Sequence, residues 1–172
     1  MGVIHLLTPE YPPTLGGVAG YTRQLARGLA EAGEQLHVWC PEGEAGEGFT
    51  VHPVLGQFHS ADLDRAGRLL DEFPRPRRVI VQWVPHGYGR RAMNVPFCVW
   101  LWRRAARGDR VELMVHEPYL NFWEGNWRQT AAAAVHRVMT AILLRAATRV
   151  WISVPAWERM WRPYALGRNV PF

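Results

Sequence analysis

The sequence predicts an α/β protein with an open, mostly parallel sheet and helices on both of its faces. Short apolar runs alternate with amphipathic segments of about ten residues or more, which is the pattern of repeated β-α-β units. Several runs are apolar at nearly every position, as expected of strands that are covered on both faces. A length of 172 residues and a hydrophobic fraction of 48% suit one packed domain.

Six strands are expected, and prolines close several of them. The third is the weakest because Pro53 interrupts it, so we place it near an edge of the sheet. The predicted strands are Val3 to Leu7, Leu36 to Cys40, Phe49 to Leu55, Val79 to Val84, Val111 to His116 and Arg149 to Val154.

The first helix follows the first strand after a loop rich in proline and glycine. Its predicted apolar face has residues at spacings of three and four, and Gly33 is placed to end it. The residues of that face are Val18, Tyr21, Leu25 and Leu29.

The other helices have recognisable starts. Ser60 is expected to cap the second helix, and Asn94 is expected to cap a third helix over 95–107. A long fourth helix is predicted over 127–147, and a short helical turn over 157–161.

The charge and the cysteines restrict the class of protein. The net charge is +5, and every cation is arginine in runs no longer than two, so we expect solvated arginine faces and no nucleic-acid partner. Cys40 and Cys98 lie in apolar runs and are expected to be buried thiols in a reducing compartment. Without a signal-peptide pattern or an apolar run long enough to span a bilayer, the sequence predicts a cytoplasmic protein.

Ligands of open parallel sheets bind at the carboxyl ends of the strands, so the loops 8–17, 85–94 and 116–126 are the candidate sites. Gly16 and Gly17 open the first helix, where backbone N–H groups and the helix dipole favour a phosphate or diphosphate. Their spacing is not that of a dinucleotide-binding loop, which argues against a nicotinamide dehydrogenase. A loop that needs glycine only for a positive φ is the alternative.

Two histidines are candidates at neighbouring strand ends. His116 ends the fifth strand, where it can face the crevice and titrate near neutral pH, and Glu117 can fix its tautomer or bind a hydroxyl. His86 lies in the loop 85–91, where Gly87 and Gly89 alternate with His86 and Tyr88, which suggests a mobile loop lining a pocket. A strand-end histidine satisfied by backbone, and a plain surface loop, are the alternatives. The sequence has no metal-ligand set, phosphate-binding Walker loop or nucleophilic serine motif.

The segment from Pro9 to Tyr21, with Leu25 to Leu29 behind it, resembles the opening of GT-B glycosyltransferases of family 4. The strand ends Val115 to Pro118 and Val154-Pro155 fit the same family, and the resemblance spans almost the whole chain. It implies a Rossmann-like N-terminal half of a GT-B fold. It also implies a retaining transferase that uses a nucleotide-sugar donor and needs neither metal nor cofactor.

The resemblance also assigns roles to residues. It implies that Gly16 and Gly17 approach the donor diphosphate, and that His116 contacts the donor sugar near the reacting carbon. Family members hold the nucleotide mainly with a second domain and a Glu-x7-Glu motif, whereas this chain has no such motif in a plausible position and no second set of strands. We therefore expect 1–165 to be the acceptor-side domain and 166–172 to start an interdomain linker. We also expect the C-terminal donor domain to be missing from this chain, which is either a fragment of a longer chain or a half that pairs with another protein, and we expect the chain alone to be inactive.

Two other functions stay open. One is a non-catalytic domain of the same fold that binds a phosphate-bearing or glycan ligand. The other is a membrane-surface protein whose tryptophan- and arginine-rich helices, 95–107 and 127–147, dock on anionic lipid at the inner face of the membrane.

Overall fold

The computed structural model describes residues 3–89, 92–122 and 126–172. It confirms the α/β class: six parallel strands form one open sheet in the order β3-β2-β1-β4-β5-β6. The weak third strand lies at the sheet edge, as predicted. In chain order the strands are β1 Ile4–Leu7, β2 Leu36–Cys40, β3 Thr50–Pro53, β4 Arg78–Trp83, β5 Arg110–Val115 and β6 Ala147–Ile152.

The helices begin and end close to the predicted residues. Gly33 has a φ of +84° just beyond the first helix, and the Asn94 side chain accepts a hydrogen bond from the Phe97 N–H at 2.9 Å, so both end signals are confirmed. The helices are α1 Gly17–Glu31, α2 Ser60–Asp71, α3 Val95–Ala106, α4 Trp127–Ala146 and α5 Pro155–Trp161, with 3-10 turns at Pro85–Gly87 and Arg162–Ala165.

The predicted cap of α2 was wrong by one residue. Ser60 is the first helical residue, and His59 is the N-cap. The Asp62 carboxylate accepts a hydrogen bond from the His59 N–H at 3.2 Å and another from the Gln57 N–H at 3.2 Å. A carboxylate in the first turn therefore supplies the capping that was expected from the serine hydroxyl.

The strand order reverses between β1 and β4. The chain runs outward from β1 through β2 to β3 and then returns to continue with β4, β5 and β6. Because parallel crossovers are right-handed, α1 lies on one face of the sheet, whereas α2, α3 and α4 pack on the other. Such a reversal opens a crevice at the carboxyl ends of the central strands.

A network of ion pairs stabilises the opposite side of the sheet, at the amino ends of the strands. The Asp109 carboxylate, with no exposed side-chain surface, accepts hydrogen bonds from Arg77 at 3.0 Å and Arg104 at 2.6 Å. Both guanidiniums also donate to Asp71 at the end of α2, at 2.9 and 3.0 Å. The expectation that the arginines form solvated faces is therefore wrong for Arg77 and Arg104, which are each 3% exposed.

Both cysteines are buried thiols, as predicted. Burial raises the pKa of Cys40 to about 12, and it also raises the pKa of Cys98.

The C-terminal segment runs beside β6, where the Val150 N–H donates to the Pro171 carbonyl at 2.8 Å and Val170 is buried.

Over residues 3–89, 92–122 and 126–172, no helix combines the length and hydropathy needed to cross a membrane.

Candidate functional site

The loops after β1, β4 and β5 meet at the carboxyl edge of the sheet. Gly87 packs so closely on the β1 loop that a Cβ placed on it would lie 2.7 Å from the Cβ and Cγ of Pro9. The His86 Nδ1 lies 3.1 Å from the Glu117 carboxylate, which joins the β4 loop to the β5 loop. The predicted site residues His86 and Glu117 are therefore in contact, and Gly87, the neighbour of His86, packs on the loop after β1. These contacts lie where the strand order reverses.

The double-glycine turn opens α1 with exposed backbone. Gly16 is the N-cap residue with an extended φ of −179°, so a positive φ is not the reason for glycine there. Gly17 begins the helix, and a Cβ on it would meet none of the described atoms within 4 Å. The first turn also carries no acidic side chain. The N–H groups of a first helical turn lack partners within the helix, so this open end can receive an anion.

A carboxylate that the sequence analysis missed lies against this turn. A Cβ on Gly16 would collide with the carboxyl group of Glu10, so glycine at 16 makes room for that side chain. A negative charge beside a helix N-terminus is stabilised by the helix dipole. Glu10 therefore occupies the side of the turn that a diphosphate would approach. The sequence does contain a sign of it, because Glu10 is the one acidic residue between β1 and α1.

His116 stands half-buried at the end of β5, directly beside α1. Its backbone N–H donates to the Trp83 carbonyl at 2.9 Å, and its Nε2 lies 2.6 Å from the Gln82 Oε1. The Tyr21 ring meets the imidazole edge-on, with the ring centroids 4.9 Å apart. Tyr21 is one helical turn beyond Gly17, so the imidazole lies next to the second turn of α1.

The surroundings of His116 keep its ring neutral. Burial lowers the pKa of the imidazole, and the nearby Glu117 carboxylate opposes that effect only in part. With a carbonyl oxygen 2.6 Å from Nε2, this nitrogen donates its proton to Gln82, which leaves the Nδ1 lone pair as an acceptor. A neutral imidazole with a fixed tautomer suits hydrogen bonding to a hydroxyl group.

Tyr21 and Gln82 are further site residues that the sequence did not reveal. Tyr21 was predicted to face the core, but it is 40% exposed. The most deeply buried positions of α1 are instead Ala19, Thr22 and Ala26. Gln82 is a polar interruption of an apolar strand, and its contact with His116 depends on the register of β4 against β5, which the sequence does not display.

The loop after β4 is anchored rather than mobile over its described part. Tyr88 is fully buried, stacks between Trp83 and Phe97, and donates its hydroxyl to the Gln82 carbonyl at 2.7 Å. The expected mobile loop is thus wrong for 85–89. The His86 side chain remains 62% exposed at the rim. Positions 90–91 of this loop and 123–125 of the loop after β5 lie outside the described residues.

An apolar cavity of about 710 Å³ lies elsewhere, between Met93 and the first turns of α4 around Trp127 and Val135. Neither His116 nor the double-glycine turn lines it. We place the candidate site at the carboxyl edge, because polar groups able to fix a ligand converge there. Among the described residues, no group of three or more histidine, cysteine, aspartate or glutamate side chains is arranged to hold a metal ion.

Comparisons of the chain with known protein families, curated proteins and solved structures gave no match. The likeness to family 4 glycosyltransferases therefore stays a prediction that rests on the residues quoted above.

Proposed function

We propose that this chain is the N-terminal, acceptor-side domain of a retaining glycosyltransferase that moves a sugar from a nucleotide-sugar donor to an acceptor hydroxyl. The observation that carries the proposal is the position of His116. Its half-buried imidazole lies beside the helix that the double-glycine turn opens, in the crevice where the strand order reverses.

In this proposal the diphosphate and the sugar of the donor contact different groups of the protein. The amides that follow Gly16 and Gly17 bind the diphosphate and stabilise the charge that develops on it as the sugar leaves. The neutral His116 accepts a hydrogen bond from a sugar hydroxyl through Nδ1, while Gln82 holds its Nε2–H. His86 and Glu117 lie exposed at the rim, where an acceptor hydroxyl would enter.

Glu10 gives the proposal a consequence that can be measured. Its carboxylate lies against Gly16, so a diphosphate that reaches the amides of the turn must displace it or bear its repulsion. We expect Glu10→Gln to bind nucleoside diphosphate sugars more tightly than the wild type, because the amide removes the negative charge and keeps the size. Glu31→Gln, at an exposed position at the end of α1, is the matched control.

Turnover tests the catalytic part. The longest reading frame that contains this chain is assayed with uridine, guanosine and adenosine diphosphate sugars and a panel of hydroxyl acceptors. We expect transfer with retention, and a large loss of kcat in His116→Ala with the melting temperature kept. Gln24→Ala, at an exposed position of α1, should keep its activity.

Two results would remove the proposal. Full activity of His116→Ala would show that the imidazole does not act on the donor. Tight diphosphate binding without transfer to any acceptor would instead assign a non-catalytic binding domain of the same fold.

A further inference from the structure

The helices α3 and α4 pack side by side on one face of the sheet and leave an apolar surface facing outward. On α4 the outward positions follow one another at spacings of four, three and four residues, which places them on one side of the helix. They are Trp127, which is 74% exposed, Ala131, Ala134 and Val138, which is 53% exposed. The opposite side of α4 holds the buried Met139 and Leu143.

The neighbouring helix presents a matching row. On α3 the outward positions also follow at four, three and four residues, and Trp102 is the most prominent of them, with 46% of its surface exposed. The row consists of the half-buried Val95 and Val99 and the exposed Trp102 and Ala106. We call these four residues, together with Trp127, Ala131, Ala134 and Val138 of α4, the α3/α4 face.

The charged side chains of α3 and α4 themselves have one sign, and Asp64 of α2 borders the face on one side, where it lines a groove with Val95, Val99 and Arg103. Neither α3 nor α4 contains an aspartate or a glutamate over its whole length. Exposed arginines lie at the carboxyl end of α3 and near both ends of α4, whereas Arg104 is turned inward and paired with Asp109. The exposed arginines are Arg103, Arg107, Arg128 and Arg145.

From this combination we infer that the α3/α4 face docks on an anionic lipid bilayer. The tryptophans and small apolar side chains enter the interface between headgroups and acyl chains, and the arginines contact the lipid phosphates. The apolar cavity of about 710 Å³ beside Trp127 extends the surface that the acyl region can cover. The inference does not depend on sugar transfer.

The charge pattern favours a bilayer over a second copy of the chain. A two-fold contact through this face would bring its four exposed arginines against those of the partner. α3 and α4 supply no carboxylate, and Asp64 of α2, which borders Val95 and Val99, cannot pair with all four. An anionic membrane supplies the opposite charge over the whole area of two parallel helices. Two adjacent amphipathic helices also present the elongated, shallow shape that suits a lipid surface.

Vesicle sedimentation tests the inference. The chain is mixed with vesicles of phosphatidylcholine alone, or of phosphatidylcholine with phosphatidylglycerol, at low salt and at about 1 M salt, where the Debye length is about 3 Å. We expect binding to the anionic vesicles, weaker binding to neutral ones, and a further loss at high salt. Absence of binding to anionic vesicles at low salt would overturn the inference.

Single substitutions on the face distinguish it from a diffuse charge effect. Val138→Glu and Ala134→Glu replace exposed residues with glutamate, which is a good helix former, and each should weaken vesicle binding about tenfold or more without lowering the melting temperature. Gln24→Glu, on exposed α1, changes the net charge equally and should leave binding unaltered. Equal losses in all three variants would contradict a docking face.

The contribution of the exposed arginines is tested with double variants. Arg103→Gln with Arg107→Gln should reduce the salt dependence of binding, whereas Arg23→Gln with Arg159→Gln, on α1 and α5, should not. Sedimentation velocity in the absence of lipid tests whether a second copy of the chain occupies the α3/α4 face instead. A wild-type dimer that Val138→Glu dissociates, with no vesicle binding by the wild type, would assign the face to a second copy and overturn the membrane inference.

Discussion

The buried ion network at the amino edge of the sheet makes a quantitative prediction for Asp109→Asn. The substitution keeps the volume of the side chain but removes the negative charge that Arg77 and Arg104 share. The asparagine oxygen can accept from one guanidinium, and its NH₂ group then faces the other donor. Both arginines would depend on Asp71, whose side chain is 42% exposed and therefore screened by water.

Removing one partner from a buried ion pair costs about 3–5 kcal/mol. The higher part of that range is expected here, because the Asp109 side chain has no exposed surface and both guanidiniums are almost completely buried. For a chain of this size each kcal/mol lowers the melting temperature by about 2–4 °C, so the variant should melt roughly 6–20 °C below the wild type.

Urea unfolding followed by far-UV circular dichroism measures this change. Asp64→Asn, at an exposed position of α2, makes the same chemical change outside the network and should stay within about 0.5 kcal/mol of the wild type. If Asp109→Asn lost less than about 1 kcal/mol, the two arginines would be solvated in solution and the reasoning would fail.

Three other variants test the crevice and the core. Gly87→Ala forces a Cβ within 2.7 Å of Pro9 and should destabilise the fold by about 1–3 kcal/mol; an unchanged urea midpoint would mean that the β1 and β4 loops are apart. Burial lowers the pKa of His5 from 6.5 to about 3, so the unfolded chain binds a proton that the folded one excludes, and stability should fall as the pH drops through that interval. His5→Phe should flatten this part of the pH profile of the urea midpoint, and a profile identical to that of the wild type would contradict the burial of His5. Gln82→Leu removes the acceptor of the His116 Nε2–H, so the pKa of His116 should fall further in an NMR titration, and an unmoved pKa would exclude that hydrogen bond.

The sequence predicts the frame of this molecule well, because each strand and helix is encoded locally. Apolar runs closed by prolines marked the strands to within one or two residues, and Asn94 and Gly33 marked two helix ends. The rule that ligands bind at the carboxyl ends of parallel strands then selected the loops that carry Gly16 and His116. These inferences needed only local pattern and the general behaviour of parallel sheets.

The missed features depend on contacts between distant segments. Tyr21 was assigned to the core because the apolar spacing of α1 fits two helix orientations, and the small residues Ala19 and Ala26 turned out to face the sheet. Nothing local distinguishes the buried Arg77 from the solvated arginines beside it. Its environment is set by Asp109, which lies 32 residues away.

The position of Gly16 and Gly17 at the start of the first helix predicted a phosphate site at the double-glycine turn, but the turn contains a further element. The Glu10 carboxylate lies where an incoming diphosphate would approach. In the proposed function, the open end of α1 that would receive the diphosphate therefore lies beside a negative charge, and donor binding should be sensitive to residue 10.

The central claim is that the opening amides of α1 and the ring of His116 border one ligand crevice. Titration of the ¹⁵N-labelled chain with a nucleoside diphosphate sugar tests it most directly, because each group reports separately in the NMR spectrum. We predict that the amides of Gly16 and Gly17 and the imidazole of His116 shift together along one binding curve. Shifts confined to the arginine-rich helices, or glycine amides that move while the imidazole does not, would contradict the claim.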